Sequence, residues 1–164
     1  MKKIGYVILA IIVLGVIGAA LGSKDKEEEA TEKKKEIYAV GEVVHLEDMD
    51  VTVNQVTTSQ GEGFIVPEEG KVFVIIEVTV HNTSEDEISY NVFNSGIQNA
   101  QGQVETPIST LYDPGNRFNS GKLVANGTVT GNIVVEAAES EINSMIFIYE
   151  PTFSHEAAKI QLSL

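Results

Sequence analysis

The chain has 164 residues, with 24 acids against 11 lysines and arginines, a formal net charge of −13, and no cysteine. The missing cysteine excludes disulfides, a thiolate nucleophile, a thiolate metal site and a lipid-modified cysteine within this sequence. Residues 37–164 set only Lys71, Arg117, Lys122 and Lys159 against eighteen acids, a net of −14 that repels nucleic acid, anionic lipid headgroups and anionic cell-wall polymers alike.

Met1-Lys2-Lys3 is a short positive start, and Ile4 to Gly22 follows without a single charge. As a helix this run spans roughly 28 Å, about the hydrocarbon thickness of a bilayer. It reads either as a signal peptide cleaved near Ser23, after the small residues Ala20 and Gly22, or as an uncleaved anchor. Its length favours the anchor, so the expected membrane partner is residues 4–22. The five lysines between Lys24 and Lys35 outnumber Lys2 and Lys3, and a strict positive-inside count would leave the rest of the chain in the cytoplasm. The form of an export signal argues for the outside instead. Residues 23–36 are wholly polar apart from Ala30, cannot build a core, and read as a charged tether.

From Ile37 onward short strands recur with turn signals between them. Val40 to Val44 opens the series, and Val51 and Val53 alternate with Thr52 and Asn54 in the next strand. Thr57 to Gly63 is turn-rich, and Phe64-Ile65-Val66 is a short apolar piece stopped by Pro67. Gly70 then introduces the strongest signal of the chain. Val72, Val74, Ile76, Val78 and Val80 share one face of a long strand, while Phe73, Ile75, Glu77, Thr79 and His81 make a second face, apolar at its start and polar at its end. Asn82-Thr83-Ser84 closes it in turn-forming residues. Ile88–Phe93, Gly96–Gln98, Val104–Thr106, Leu123-Val124, Thr128–Val135, Met145–Tyr149 and Ile160–Leu164 read as further strand pieces. Pro107–Gly121 is the longest irregular stretch, and 137–144 is acidic and irregular. With no amphipathic helix after residue 36, the pattern predicts an antiparallel sandwich or barrel. The Cys…Trp…Cys core of antibody-type domains is excluded, since neither residue type occurs.

Val40-Gly41, Val51-Thr52-Val53, the whole of Gly70 to Ser84, Tyr90 with Phe93, Ala100 to Gln103, and Ala125 to Val135 together carry a resemblance. From about Tyr38 the chain resembles the secreted bacterial and archaeal modules called domain of unknown function 4352. The resemblance implies an all-β, antiparallel immunoglobulin-like β-sandwich over 37–164, related to a mycobacterial immunoprotective extracellular protein. Here it would be preceded by one N-terminal hydrophobic helix (1–22) and a charged linker (23–36). No activity comes with it. Asn126 stands where the family often has proline, the frequent proline after the following strand is replaced around Glu136-Ala137, and the lipobox cysteine is absent. The last departure implies a peptide anchor in place of a lipid.

Chemistry is sparsely signalled. His45, His81 and His155 fall in three separate segments with no paired metal-ligand spacing, no Gly-x-Ser-x-Gly elbow occurs, and Gly61-Glu62-Gly63 is too short and acidic to cradle phosphate. Glu47, Asp48 and Asp50 place hard oxygens on one loop, as calcium prefers, and Glu85-Asp86-Glu87 forms a second acidic turn. The competing reading is two solvated turns, since no EF-hand or glycine–aspartate repeat accompanies them. The expectation is a non-enzymatic extracellular module without cofactor. It would bind a protein or envelope partner through Pro107–Gly121 and Thr57–Gly63. A calcium-dependent adhesion module and a small hydrolase are the alternatives.

Overall fold

The computed structural model describes residues 36–107, 110–152 and 154–164. The apolar run at 4–22, and the charged segment up to residue 35, lie outside the described residues. Among the described residues no helix is long and apolar enough to cross a membrane.

The alternation around Val72 builds the strand on which the domain is assembled. Strands β1 (Tyr38–Ala39), β2 (Val43–His45), β3 (Met49–Ser59) and β4 (Val72–Asn82) come first. They are followed by β5 (Ile88–Tyr90), β6 (Ser95–Gln98), β7 (Val104–Glu105) and β8 (Gly121–Leu123). The chain ends with β9 (Thr128–Ala137), β10 (Ile146–Tyr149) and β11 (Ala158–Gln161). One sheet runs β2-β3-β4-β9, a second runs β1-β11-β10-β6-β7, and β5-β8 is a separate ribbon. Val74, Ile76, Val78 and Val80 are fully buried, as their period of two requires. They pack into one core with Val51 and Val53 from their own sheet and Ile97, Phe147, Tyr149 and Ile160 from the other. The architecture is therefore a β-sandwich.

The structure departs from the sequence reading in four places. The pairing is not wholly antiparallel, because β1 lies parallel to β11. Thr57–Ser59 belongs to β3 and not to a turn, held by pairing with Ile75, Val74 and Phe73. The inward valines of β3 change spacing from two (Val51, Val53) to three (Val56), because a bulge lies between Val53 and Gln55. Two short 3-10 turns, Val92–Asn94 and Glu139–Ser144, occupy stretches read as strand and as irregular.

The outer face of β4 explains its mixed composition. At its polar end Asn54 donates to Glu77 Oε1 and Thr79 Oγ1, both at 2.9 Å, and Thr79 meets Thr130 at 2.8 Å. At its apolar end the Phe73 ring stacks on Tyr112, centroids 4.6 Å apart and 10° from parallel. The long irregular stretch is thus pinned to the sheet at Tyr112. It is anchored again at Phe118, which is 1% exposed and meets Tyr90 and Tyr149 edge-on at 5.6 and 6.3 Å.

Burial pushes the Tyr149 phenol up, opposed in part by the hydrogen bonds with the Asn91 N–H and the Asn94 side chain. A raised folded-state value gives stability that is complete below the unfolded value of about 10 and is lost as pH rises through the folded one. Tyr149→Phe is therefore expected to flatten the fall in Tm between about pH 9 and 11, while losing about 1 kcal/mol at neutral pH from the abandoned Asn91 N–H. Thermal melts of both proteins across that range check it, and parallel pH profiles would contradict it.

Candidate functional site

The acidic loop joins β2 to β3. Leu46 N–H donates to Met49 O at 2.9 Å, and both side chains are buried, so the two ends of the turn point inward and its tip, Glu47 and Asp48, faces solvent. Asp48 uses its main-chain carbonyl to accept the Thr83 N–H at 3.0 Å. Asp50 sits on β3 opposite His45, and its carboxylate meets His45 Nδ1 at 2.6 Å. In the second acidic turn Glu87 is paired with Lys122 at 2.6 Å, which holds the Lys122 amine above its usual value. Among the described residues no three His, Asp or Glu side chains converge on a point that could hold a metal. His81 meets Thr128 Oγ1 at 2.9 Å across β4 and β9, while His45 and His155 lie on other segments and are exposed.

Two surface features stand out, and neither was singled out by motif. The first is the β3–β4 connection. Glu62 and Ile65 exchange both main-chain hydrogen bonds, 2.9 and 3.0 Å, closing a miniature hairpin. Gly61 has φ +83°, and a Cβ there would stand 1.9 Å from Ile65 O, so only glycine admits this closure. The hairpin turns Phe64 outward until it is fully exposed, with Val66 62% exposed beside it. Tyr112 Oη accepts from Ser59 Oγ at 2.9 Å, which ties the neighbouring loop to this end of β3, and Leu111 on that loop is 86% exposed.

The second is the outer edge of β9, the last strand of its sheet. At Asn132 this edge is covered: its N–H donates to Asn116 O at 2.7 Å and its carbonyl accepts from Phe118 N–H at 2.9 Å. Beyond Asn132 a cavity of about 220 Å³ is walled by Phe93, Pro107, Phe118 and Val134. An adjoining one of about 390 Å³, sharing Pro107 and Thr110, is walled by Glu68, Lys71, Glu105 and Glu136. Lys71 lies 2.6 Å from Glu68. That hydrogen bond and the charge of Glu68, with further help from Glu136 and Glu105, raise the Lys71 amine, while Lys71 lowers the Glu68 carboxyl.

In the sequence the Phe64 hairpin is a short apolar piece of chain, and apolarity alone does not say on which side of a loop a side chain falls. The paired glycines Gly61 and Gly63, both at positive φ, were the available signal that the piece was a turn.

The chain is 31% identical over 135 residues to the uncharacterized lipoprotein YjhA of Bacillus subtilis, an alignment that covers 76% of this chain and 63% of that protein. The crystal structure of the B. subtilis yjhA protein superposes with a TM-score of 0.66 at 26% identity, covering 77% of this chain and 99% of that one. The B. subtilis ycdA protein shares the fold alone, with a TM-score of 0.58 at 13% identity over 73% of this chain and 38% of that one. Residues 38–159 match the family described as Domain of unknown function (DUF4352), and the chain belongs to that family.

Proposed function

We propose that this protein is a non-enzymatic, immunoglobulin-like β-sandwich held at the outer face of the cell membrane through residues 4–22, where it binds another protein. The observation that carries the reading is Phe64, a fully exposed aromatic on a loop locked in place. An ordered aromatic in water loses nothing further in loop entropy when a partner covers it, which suits a binding anchor. Outward placement agrees with the relative named a lipoprotein. With no cysteine in these 164 residues to carry a lipid, the uncharged length of the run at 4–22 supports a peptide tether. The net charge of 37–164 favours a protein over anionic envelope polymers.

The test joins topology to contact. Protease added to intact cells is expected to remove the domain from a cell-bound protein, and a photo-crosslinker at position 64 is expected to capture a protein. Phe64→Ser is expected to change stability by less than about 0.5 kcal/mol, as an exposed position should, while abolishing the capture made from a crosslinker placed at Leu111. Protection of the domain until lysis would overturn the location. Crosslinks to lipid alone would overturn the partner class. Calcium at Glu47, Asp48 and Asp50 is the second reading, and a rise in Tm on adding calcium to the chelated protein would support it.

A further inference from the structure

We propose that the partner covering the Phe64 hairpin presents an arginine-rich, partly apolar segment of protein chain, whose guanidinium groups meet both the ring and the glutamates beside it. This rests on the reading of Phe64 as a binding anchor and adds the chemistry of what the anchor meets.

The hairpin has one chemistry at its tip and another around it. Phe64, Ile65 and Val66 are 104%, 40% and 62% exposed. A ring this exposed offers its face as well as its edge, and the face of an aromatic ring attracts cations. Residues 60–70 carry Glu62, Glu68 and Glu69 and no base, and all three glutamates are exposed. Glu62 stands two residues before Phe64, and its main chain is bonded twice to Ile65, so one closed frame carries the carboxylate and the ring together. Lys71, the first base after the hairpin, is already bonded to Glu68 at 2.6 Å. Glu136 joins the base of the hairpin, its Oε2 accepting the Glu68 N–H at 3.0 Å. The tip is therefore apolar and aromatic, and the groups around it are predominantly anionic.

That combination selects among partners. A purely apolar cup would cover the ring while taking water from the carboxylates at its rim and giving them nothing in return. A lysine would answer the charge as a compact, strongly hydrated ion. Arginine is weakly hydrated, stacks its planar guanidinium on an aromatic face and still donates to carboxylates at its edge. An acidic or phosphorylated segment would meet repulsion, and so would a second copy bringing its own glutamates.

The probes are three fluorescent eight-residue peptides that alternate leucine with arginine, with citrulline (the uncharged analogue of arginine) or with glutamate. Each is added to the full chain in phosphatidylcholine nanodiscs, with a photo-crosslinker at Val66 so that Phe64 stays intact. Labelling of the arginine peptide is expected to exceed that of the citrulline peptide about ten-fold, with none of the glutamate peptide, and the excess is expected to shrink as salt is raised. Phe64→Leu keeps an apolar tip without a ring face and is expected to lose labelling several-fold. Glu62→Lys is expected to lose it about ten-fold. Glu85→Lys makes the same change in total charge beyond the far end of β4 and is expected to leave labelling unchanged. Positions 62, 64 and 85 are all exposed, so the three variants should fold. Equal labelling of the arginine and citrulline peptides, indifference to Phe64→Leu, or equal losses from Glu62→Lys and Glu85→Lys would overturn the proposal and leave the anchor in place. A crosslink to a second copy before any peptide is added would overturn the partner. The anchor reading itself falls by a different result, the capture of lipid alone from position 64 on intact cells.

Discussion

Gly131→Ala is expected to destabilise the domain by about 2–4 kcal/mol, although replacing a strand glycine with alanine ordinarily stabilises. Gly131 lies on β9 under the segment that covers its edge. A Cβ there would stand 2.7 Å from both the Cα and the N of Phe118 and 3.0 Å from the carbonyl carbon of Arg117. All three are backbone atoms, so no side-chain rotation relieves the clash. Residues 116–118 would have to lift, and with them would go the two hydrogen bonds at Asn132 and the seat of the Phe118 ring between Tyr90 and Tyr149. Phe118→Ala would reach the same state from the other side, at about 3–5 kcal/mol for a buried aromatic. The double variant should therefore cost less than the two single changes added together, since each releases the same segment. Chemical denaturation of the four proteins gives the cycle, and amide exchange at Asn132 reports the lifting directly. A neutral or stabilising Gly131→Ala would mean that the 116–118 segment is not held against β9.

What could be read from the sequence was what depends on near neighbours. The five-fold alternation from Val72 to Val80 needs no knowledge of the partner strands, and it placed β4 within its observed bounds. The valine spacing on β3 already contained the bulge, one step of two and then one of three, although it reads as a bulge only once Gln55 is seen opposite Glu77. What could not be read depends on partners distant in sequence. Tyr38 pairs with Ile160 across nearly the whole chain, and nothing local in Tyr38-Ala39 favours a parallel neighbour. Thr57-Thr58-Ser59 has turn-forming residues and is strand only because Phe73, Val74 and Ile75 extend beside it. The acidic loop was visible as composition. That Asp50 would face His45 rather than turn toward Glu47 and Asp48 is a matter of cross-strand register.

Asn82 illustrates the same distinction with the larger consequence. In the sequence it opens Asn82-Thr83-Ser84, an ordinary turn. In the structure it is wholly buried, and its side chain makes all four hydrogen bonds open to an amide. Nδ2 donates to Asp86 O at 2.7 Å and to Leu123 O at 3.0 Å, while Oδ1 accepts from the Ser84 N–H and Ser84 Oγ, both at 2.9 Å. Its main-chain N–H reaches Gly127 O at 2.9 Å. One residue thus fastens the 84–86 turn, the end of β8 and the entry to β9. Asn82→Ala would leave the Leu123 carbonyl and the Ser84 N–H without their partner and the Asp86 carbonyl with Ser84 Oγ alone, and is expected to lower stability by about 3–5 kcal/mol. Asn82→Asp keeps the shape and tests the chemistry. Ionised, it has no donor for the Asp86 and Leu123 carbonyls, and burial would raise its folded-state value above the unfolded one of about 3.9. A raised value means that stability is greatest below the unfolded value and is lost as pH rises through the folded one. The aspartate variant should therefore be nearer wild type at about pH 4 than at pH 7, whereas the alanine variant should be deficient at both. Denaturation at the two pH values separates these cases. Equal penalties for both variants at both pH values would mean that the turn is held by its backbone and not by the amide.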